Sequence, residues 1–262
     1  IQPKHTLGET PYRFNWQTPI HLSKHNQDIL YLGGNKLHRS LNQGDDWETI
    51  SEDLTTGGKK GNVAYGTLTS ISESPFQFGL IYTGTDDGYI NVTKNSGVAW
   101  TKISSTLPPN LWVSRVIASR HKKNRVYATL NGYRQDDFKP YVFMSEDFGN
   151  TWSSISSNLS NTAAVNVIKE DSFNEELLFI GTDNGTYASF NNGISWEAFS
   201  EGLPNVAVHD LVIQEEAQDL LVGTHGRSIY KAKITSLQQH GKIGNKDLIV
   251  FDDKTGSFRV KK

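Results

Sequence analysis

A chain of 262 residues is long enough for one large all-β domain or two small ones, and its 36% apolar content with 23 glycines favours many short elements joined by tight turns over long helices. The 26 basic and 28 acidic residues nearly cancel, leaving no electrostatic footprint for nucleic acid or an anionic membrane. Cysteine is absent, which excludes disulfides, thiolate chemistry and Cys-ligated zinc, and no run approaches the roughly 20 apolar residues of a membrane-spanning helix, so no membrane insertion is expected.

Residues 1–11, with Pro3 and Gly8, make a poor strand and read as a linker or N-terminal extension. A repeating pattern then runs over residues 12–240. "NWQTPIHLS" (15–23) alternates apolar and polar positions as a first strand with one buried face, and "DILYLGGN" (28–35) is a short apolar strand running into a turn. An eight-residue box, "SLNQGDDW" (40–47), follows. The succession returns as "GTLTSISES", "GLIYTGTDDG" and "TKNSGVAW" (66–100), as "WVSRVIAS", "NRVYATLNG" and "SEDFGNTW" (112–152), and as "AVNVIKED", "ELLFIGTDNG" and "SFNNGISW" (164–196). A fifth passage, "AVHDLVIQ" and "DLLVGTHGRS" (207–228), has no box after it. Residues 241–262, with "KDLIVFDD" and "GSFRVKK", read as a C-terminal strand pair or the start of a following region. A chain that opens at Ile1 and is still strand-like at its end is expected to be a segment of something longer.

The box template is Ser/Thr, any, Asp/Asn, any, Gly, any, any, Trp. It is carried by Ser40, Asn42, Gly44 and Trp47; by Thr93, Asn95, Gly97 and Trp100; by Ser145, Asp147, Gly149 and Trp152; and by Ser189, Asn191, Gly193 and Trp196. Short polar side chains there accept from nearby backbone N–H groups, and glycine supplies a backbone conformation closed to other residues. Only Asp147 is an acid; an amide in the other three copies argues against proton transfer or metal binding and for scaffolding, with the tryptophan filling the space between neighbouring units. Tryptophan spacings of 53, 52 and 44 residues suit four strands per unit. The expected fold is therefore all-β: a β-propeller of about five four-stranded antiparallel blades.

The four boxes, with "RFNWQTPIHLS", "GTLTSISESP", "WVSRVIASRH", "NGYRQDDFKPYVFMSEDFGNTW" and "GTHGRSIY", resemble the sortilin-like Asp-box (bacterial neuraminidase repeat) propellers of large bacterial proteins often labelled glycosyl hydrolases. The resemblance spans residues 12 to 240. It implies an extracytoplasmic setting and a larger ring of about ten blades, of which this chain would be one half, closed by the rest of a parent chain or a second copy. Nothing resembles the cysteine-rich module that follows the propeller in sortilins.

In a four-stranded blade the 2-3 turns and the 4-1 links share one rim and the boxes lie on the other. That rim collects Asn15, Trp16, Trp112, Ser114, Arg115, Asn166, His209 and Asp210 from the first strands, and Asp86, Asp87, Arg134, Asp136, Asp137, Asp183, His225 and Arg227 from the turns. Trp16 and Trp112 have two readings, packing between blades or presentation at the channel mouth. Arg115 and Arg120 either pair with acids of adjacent blades or face a ligand. His225 and Arg227 lie in a tight turn approaching a loop or a ligand, and "RQDDFKP" is the longest 2-3 insertion. The ligand-binding candidates are Trp16, Trp112, Arg115, Arg134, Asp137, Asn166, His209, His225 and Arg227.

No Ser-His-Asp context, phosphate-cradling glycine loop or paired-histidine spacing occurs, so no cofactor and no metal are expected. The leading expectation is a non-catalytic domain binding a peptide, protein or glycan at its channel face. Its rival is a glycoside hydrolase acting on a polysaccharide with acids drawn from Asp86, Asp87, Asp136, Asp137 and Asp210, and a purely structural assembly module is a third reading.

Overall fold

The computed structural model describes residues 3–60, 63–239, 248–252 and 257–261. Among them the chain lays down five sheets in succession. Blade 1 comprises β1 (Ile20–Leu22), β2 (Leu30–Gly33), β3 (Leu37–Ser40) and β4 (Glu48–Thr49); blade 2 comprises β5 (Leu68–Glu73), β6 (Ile81–Thr85), β7 (Ile90–Thr93) and β8 (Thr101–Lys102). Blade 3 comprises β9 (Trp112–Ala118), β10 (Val126–Gly132), β11 (Asp137–Ser145) and β12 (Ser153–Ser154); blade 4 comprises β13 (Val165–Glu170), β14 (Leu178–Thr182), β15 (Gly185–Ser189) and β16 (Glu197–Ala198). In these four blades the strands pair antiparallel in chain order. The result is an arc of a β-propeller in which no sheet closes on another.

Blade 5 departs from that plan. Its β17 (Val208–Gln214), β18 (Asp219–Thr224) and β19 (Ile229–Lys233) form an ordinary meander, but a short helix α1 (Thr235–Gln238) follows where the others carry a box. Two further strands, β20 (Leu248–Asp252) and β21 (Ser257–Lys261), pair with each other, and β21 meets β19 in parallel, with β20 outermost.

Four apolar cores fill the four blade interfaces. One example joins blades 2 and 3 through Leu80, Tyr82 and Ile90 against Val113, Val116 and Ala118. The outermost strands β4, β8, β12 and β16 are two residues each, which leaves little unpaired edge.

The box turns explain both their polar and their apolar positions. Ser145 Oγ accepts from Gly149 N at 2.8 Å and Asp147 Oδ1 accepts from Thr151 N at 2.8 Å; Asn42, Asn95 and Asn191 make the same bond with an amide oxygen at 2.9 Å. The fourth and fifth positions both have positive φ, as in Phe148 (64°) and Gly149 (89°), the tight-turn geometry that suits a hairpin's twist. Glycine at the fifth has a second reason. A Cβ on Gly149 would lie 2.3 Å from Ile103 Cδ1, and one on Gly97 2.4 Å from Ile50 O. The boxes of blades 2 to 4 thus press onto the preceding blade, and their tryptophans bond there: Trp100 Nε1 donates to Ile50 O, Trp152 to Ile103 O and Trp196 to Ile155 O, at 2.9, 2.8 and 2.6 Å.

The blades also form pairs. Glu73 of blade 2 accepts from Ser23 and Tyr31 of blade 1, and Glu170 of blade 4 accepts from Ser119 and Tyr127 of blade 3. His25 and His121 likewise reach the carbonyls of Ser74 and Asp171. The same polar lock therefore recurs every second blade.

Candidate binding site at the channel mouth

The first strands of blades 2 to 5 each carry a β-bulge near their start. The register slips across Thr69, Ser114, Asn166 and His209. A bulge inserts one unpaired residue and re-aims its side chain. All four line one cavity of about 860 Å³ on the rim of the 2-3 turns.

Two of the four serve the scaffold. Thr69 Oγ1 donates to Val113 O at 2.6 Å and Ser114 Oγ to Val165 O at 2.8 Å, each reaching the carbonyl just before the next blade's bulge. The other two break that habit. Asn166 accepts from Asn131 Nδ2 at 2.8 Å and donates to Asp183 Oδ1 at 2.9 Å, building an amide wall between blades 3 and 4. His209 stands 5.3 Å from His225, ring to ring. Desolvation at the mouth, then the neighbouring imidazole of His225, lowers the pKa of His209, with Asp183 opposing.

Aromatic and cationic groups complete the rim. The Arg134 guanidinium lies over the Trp112 ring, 4.1 Å from its centroid, and Tyr133 sits beside it. Trp16 lines the same cavity and is 89% exposed, so it is not packed between blades. Trp112 is half-buried and lines the same space.

The insertion carrying Arg134 is more ordered than a loop. β10 and β11 pair as far as Gly132 opposite Asp137, a bulge accommodates Pro140, and the turn is a single 3-10 turn over Tyr133–Gln135 closed by Asp136 at φ 56°. Asp137 faces back into its own hairpin, accepting from Tyr141 Oη at 2.7 Å; that bond, foremost, lowers its pKa, and burial with the same carboxylate raises Tyr141 to about 12.

The five acids considered for hydrolysis separate clearly. Asp86 is 5% exposed and accepts from Thr67 N, Thr67 Oγ1 and Asn15 Nδ2. Burial foremost raises its pKa, with Asp87 adding to it and the Thr67 donors opposing. Asp87 is 1% exposed and holds Thr56 and Thr85. Asp86 fastens the turn of blade 2 to the segment before β1, and Asp87 fastens it to the link from blade 1. Asp136 and Asp137 lie outside the cavity lining, as does the exposed Arg227; Asp210 lines it, bound to Arg115 at 2.9 Å. Arg115 and Arg120 do pair with acids, but of blade 5 across the channel: Arg120 bonds Glu215.

Sequence reasoning did not single out Thr69, Asn131 or Tyr133 as lining residues. The available signal was a polar residue just after the first apolar residue of each inner strand, at Thr69, Ser114, Asn166 and His209 alike. Among the described residues no cluster of His, Cys, Asp and Glu has metal-holding geometry, and no helix is long and apolar enough to cross a membrane.

The fold and mouth define a β-propeller segment. No family model matches the chain, and no curated protein matches it either. Solved structures do. An ancestral GH74 enzyme matches with a TM-score of 0.65 at 17% identity over 87% of this chain and 32% of its own, and the GH74 xyloglucanase from Xanthomonas campestris with 0.66 at 13% over 86% and 38%. YCF48 bound to D1 peptide matches with 0.56 at 12% identity, over 85% of this chain and 64% of its own. The chain spans about a third of the length of those GH74 enzymes. At such identities the likeness is one of fold.

Proposed function

We propose that this chain is a non-catalytic interaction segment that takes a peptide or an extended protein segment at the channel mouth. The observation that carries the reading is the bulge-built rim, where Trp112 stacked by Arg134 and the exposed Trp16 line one cavity of about 860 Å³. Aromatic rings give large contact area at low entropic cost, and the Asn131–Asn166–Asp183 wall offers amide and carboxylate groups that complement a peptide backbone. The sortilin-like Asp-box kinship and an extracytoplasmic setting belong to the same reading, supported by four boxes of one geometry. Peptide-bound YCF48 is a precedent for the fold in that role.

The glycoside hydrolase reading keeps one point in its favour. Asp183 and Asp210 both line the mouth, and GH74 enzymes share the fold. Against it, Asp210 is held by Arg115 and Asp183 by Asn166.

The test is a screen of peptides and oligosaccharides for binding and for bond cleavage, with Trp112→Ala and Arg134→Ala beside the parent chain. Each substitution is expected to weaken peptide capture by about tenfold while melting temperature changes little. Oligosaccharide cleavage abolished by Asp183→Asn or Asp210→Asn would replace this reading with the hydrolase, glycan capture without cleavage would replace the peptide, and equal loss of stability and binding would return both residues to packing.

A further inference from the structure

Below the mouth the inner strands enclose a second cavity of about 260 Å³. It shares Ile71, Arg115 and Asp210 with the mouth and continues along the same strands to Glu73, Ala118, Glu170 and Val212. Its walls carry Lys24 from blade 1, Arg115 and Arg120 from blade 3 and Lys169 from blade 4, with His21 beside them.

The arginines are answered, by Asp210 and Glu215 respectively. The lysines are not: among the described residues neither the Lys24 nor the Lys169 ammonium group makes an ion pair or hydrogen bond. The wall's other acids are spent within their blade pairs. Glu73 accepts from Ser23, Tyr31 and Gly79 N, and Glu170 from Ser119, Tyr127 and Arg120 N. Lys169 is surrounded by Arg120, Lys24 and Arg115, with Asp210 and Glu215 opposing, and burial foremost, then those cations, lowers its pKa. Lys24 is lowered by burial and then Arg120, with Glu215 opposing. Two ammonium groups with no bonded counter-charge, set among two guanidinium groups and partly withdrawn from water, are a costly arrangement that an anion relieves.

We infer that this lower cavity is a binding site for a small oxyanion, a carboxylate or sulfate-type group, held between Lys24 and Lys169. The two groups come from blades 1 and 4, so the site exists only in the folded arc. It does not depend on occupancy of the mouth, and it stands or falls apart from the peptide reading.

The test is calorimetric titration of the 262-residue chain with sodium sulfate and, separately, sodium acetate, against sodium chloride at matched ionic strength. Saturable one-site binding of at least one oxyanion is expected, with affinity falling about tenfold or more in Lys169→Gln and in Lys24→Gln. Lys102→Gln removes a charge from the outer strand of blade 2 and is expected to leave the affinity unchanged. Lys24 is solvent-facing enough for its variant to fold even if Lys169→Gln does not. No saturable binding of either oxyanion, or equal binding by the parent chain and both channel variants, would overturn the inference.

Discussion

The indole nitrogens of the four box tryptophans show what a single residue does in this fold. Trp100, Trp152 and Trp196 donate to an isoleucine carbonyl of the preceding blade, whereas Trp47 of blade 1 turns back to Gly44 O of its own box at 3.0 Å. Removing the ring from Trp152 forfeits packing and strands the Ile103 carbonyl, so Trp152→Ala is expected to cost about 3–5 kcal/mol in chemical denaturation. Trp47→Ala should cost clearly less, since no neighbouring blade loses a partner. Asp147→Asn is expected to keep fold and binding, because three boxes already make that turn bond with an amide oxygen. A large loss from Asp147→Asn in a folded protein would reassign the acid. These positions were legible in the sequence because turn chemistry is local. The roles of Asp86 and Asp87 were not: an acid in a turn reads as exposed, and only the fold shows that Thr56 and Thr67 arrive to bury it.

At the scale of elements, the segment before β1 is anchored onto blade 1 well before its first strand. Arg13 bonds Asp53, Thr55 and Gly66 O, and Tyr12 packs on His38 of β3, 4.5 Å between centroids. His38 is fully buried, its Nδ1 is bonded to Thr49 Oγ1, and its Nε2 has no partner. Burial foremost, with Lys36 adding to it, lowers its pKa to about 4. The native state therefore binds fewer protons than the unfolded state between about pH 6.5 and 4, and stability present above that window is lost as pH falls through it. The loss from this group is on the order of 3 kcal/mol. Denaturant midpoints at pH 7 and pH 4.5 should differ accordingly, and His38→Phe should flatten the slope; an unchanged slope would exonerate His38. Four of the blades were legible from their boxes, each of which closes one sheet, and the fifth from its strand pattern at 207–228. The pairing of blades was not read, although Ser-Lys-His at 23–25 and Ser-Arg-His at 119–121, each followed by Tyr31 or Tyr127, carried it. Its meaning depends on Glu73 and Glu170, which lie on the partner blade and about 50 residues downstream.

For the whole molecule, the terminal blades show the faces that interior blades hide. Ile20 and Leu22 of β1 are 66% and 62% exposed, while Val116 and Ala118, their counterparts in the paired blade 3, are 0% and 7% exposed against blade 2. Ile229 of β19 is 72% exposed, while Ile90, opposite the equivalent glycine in blade 2, is fully buried. No hydrogen bond or ion pair joins the described residues of blade 1 to those of blade 5; what spans the arc are the Arg115–Asp210 and Arg120–Glu215 pairs between blades 3 and 5. These open isoleucine and leucine positions, two on blade 1 and one on blade 5, are worth several kcal/mol in all when covered, at about 1.5–3 kcal/mol each. The expected consequence is association through the end faces, either with further blades or with a second copy. Sedimentation of the isolated chain should therefore show concentration-dependent assembly, and Ile20→Lys with Ile229→Lys should suppress it without lowering the melting temperature. A stable monomer at all concentrations, with blade 1 packed against blade 5, would establish instead a self-sufficient five-bladed ring.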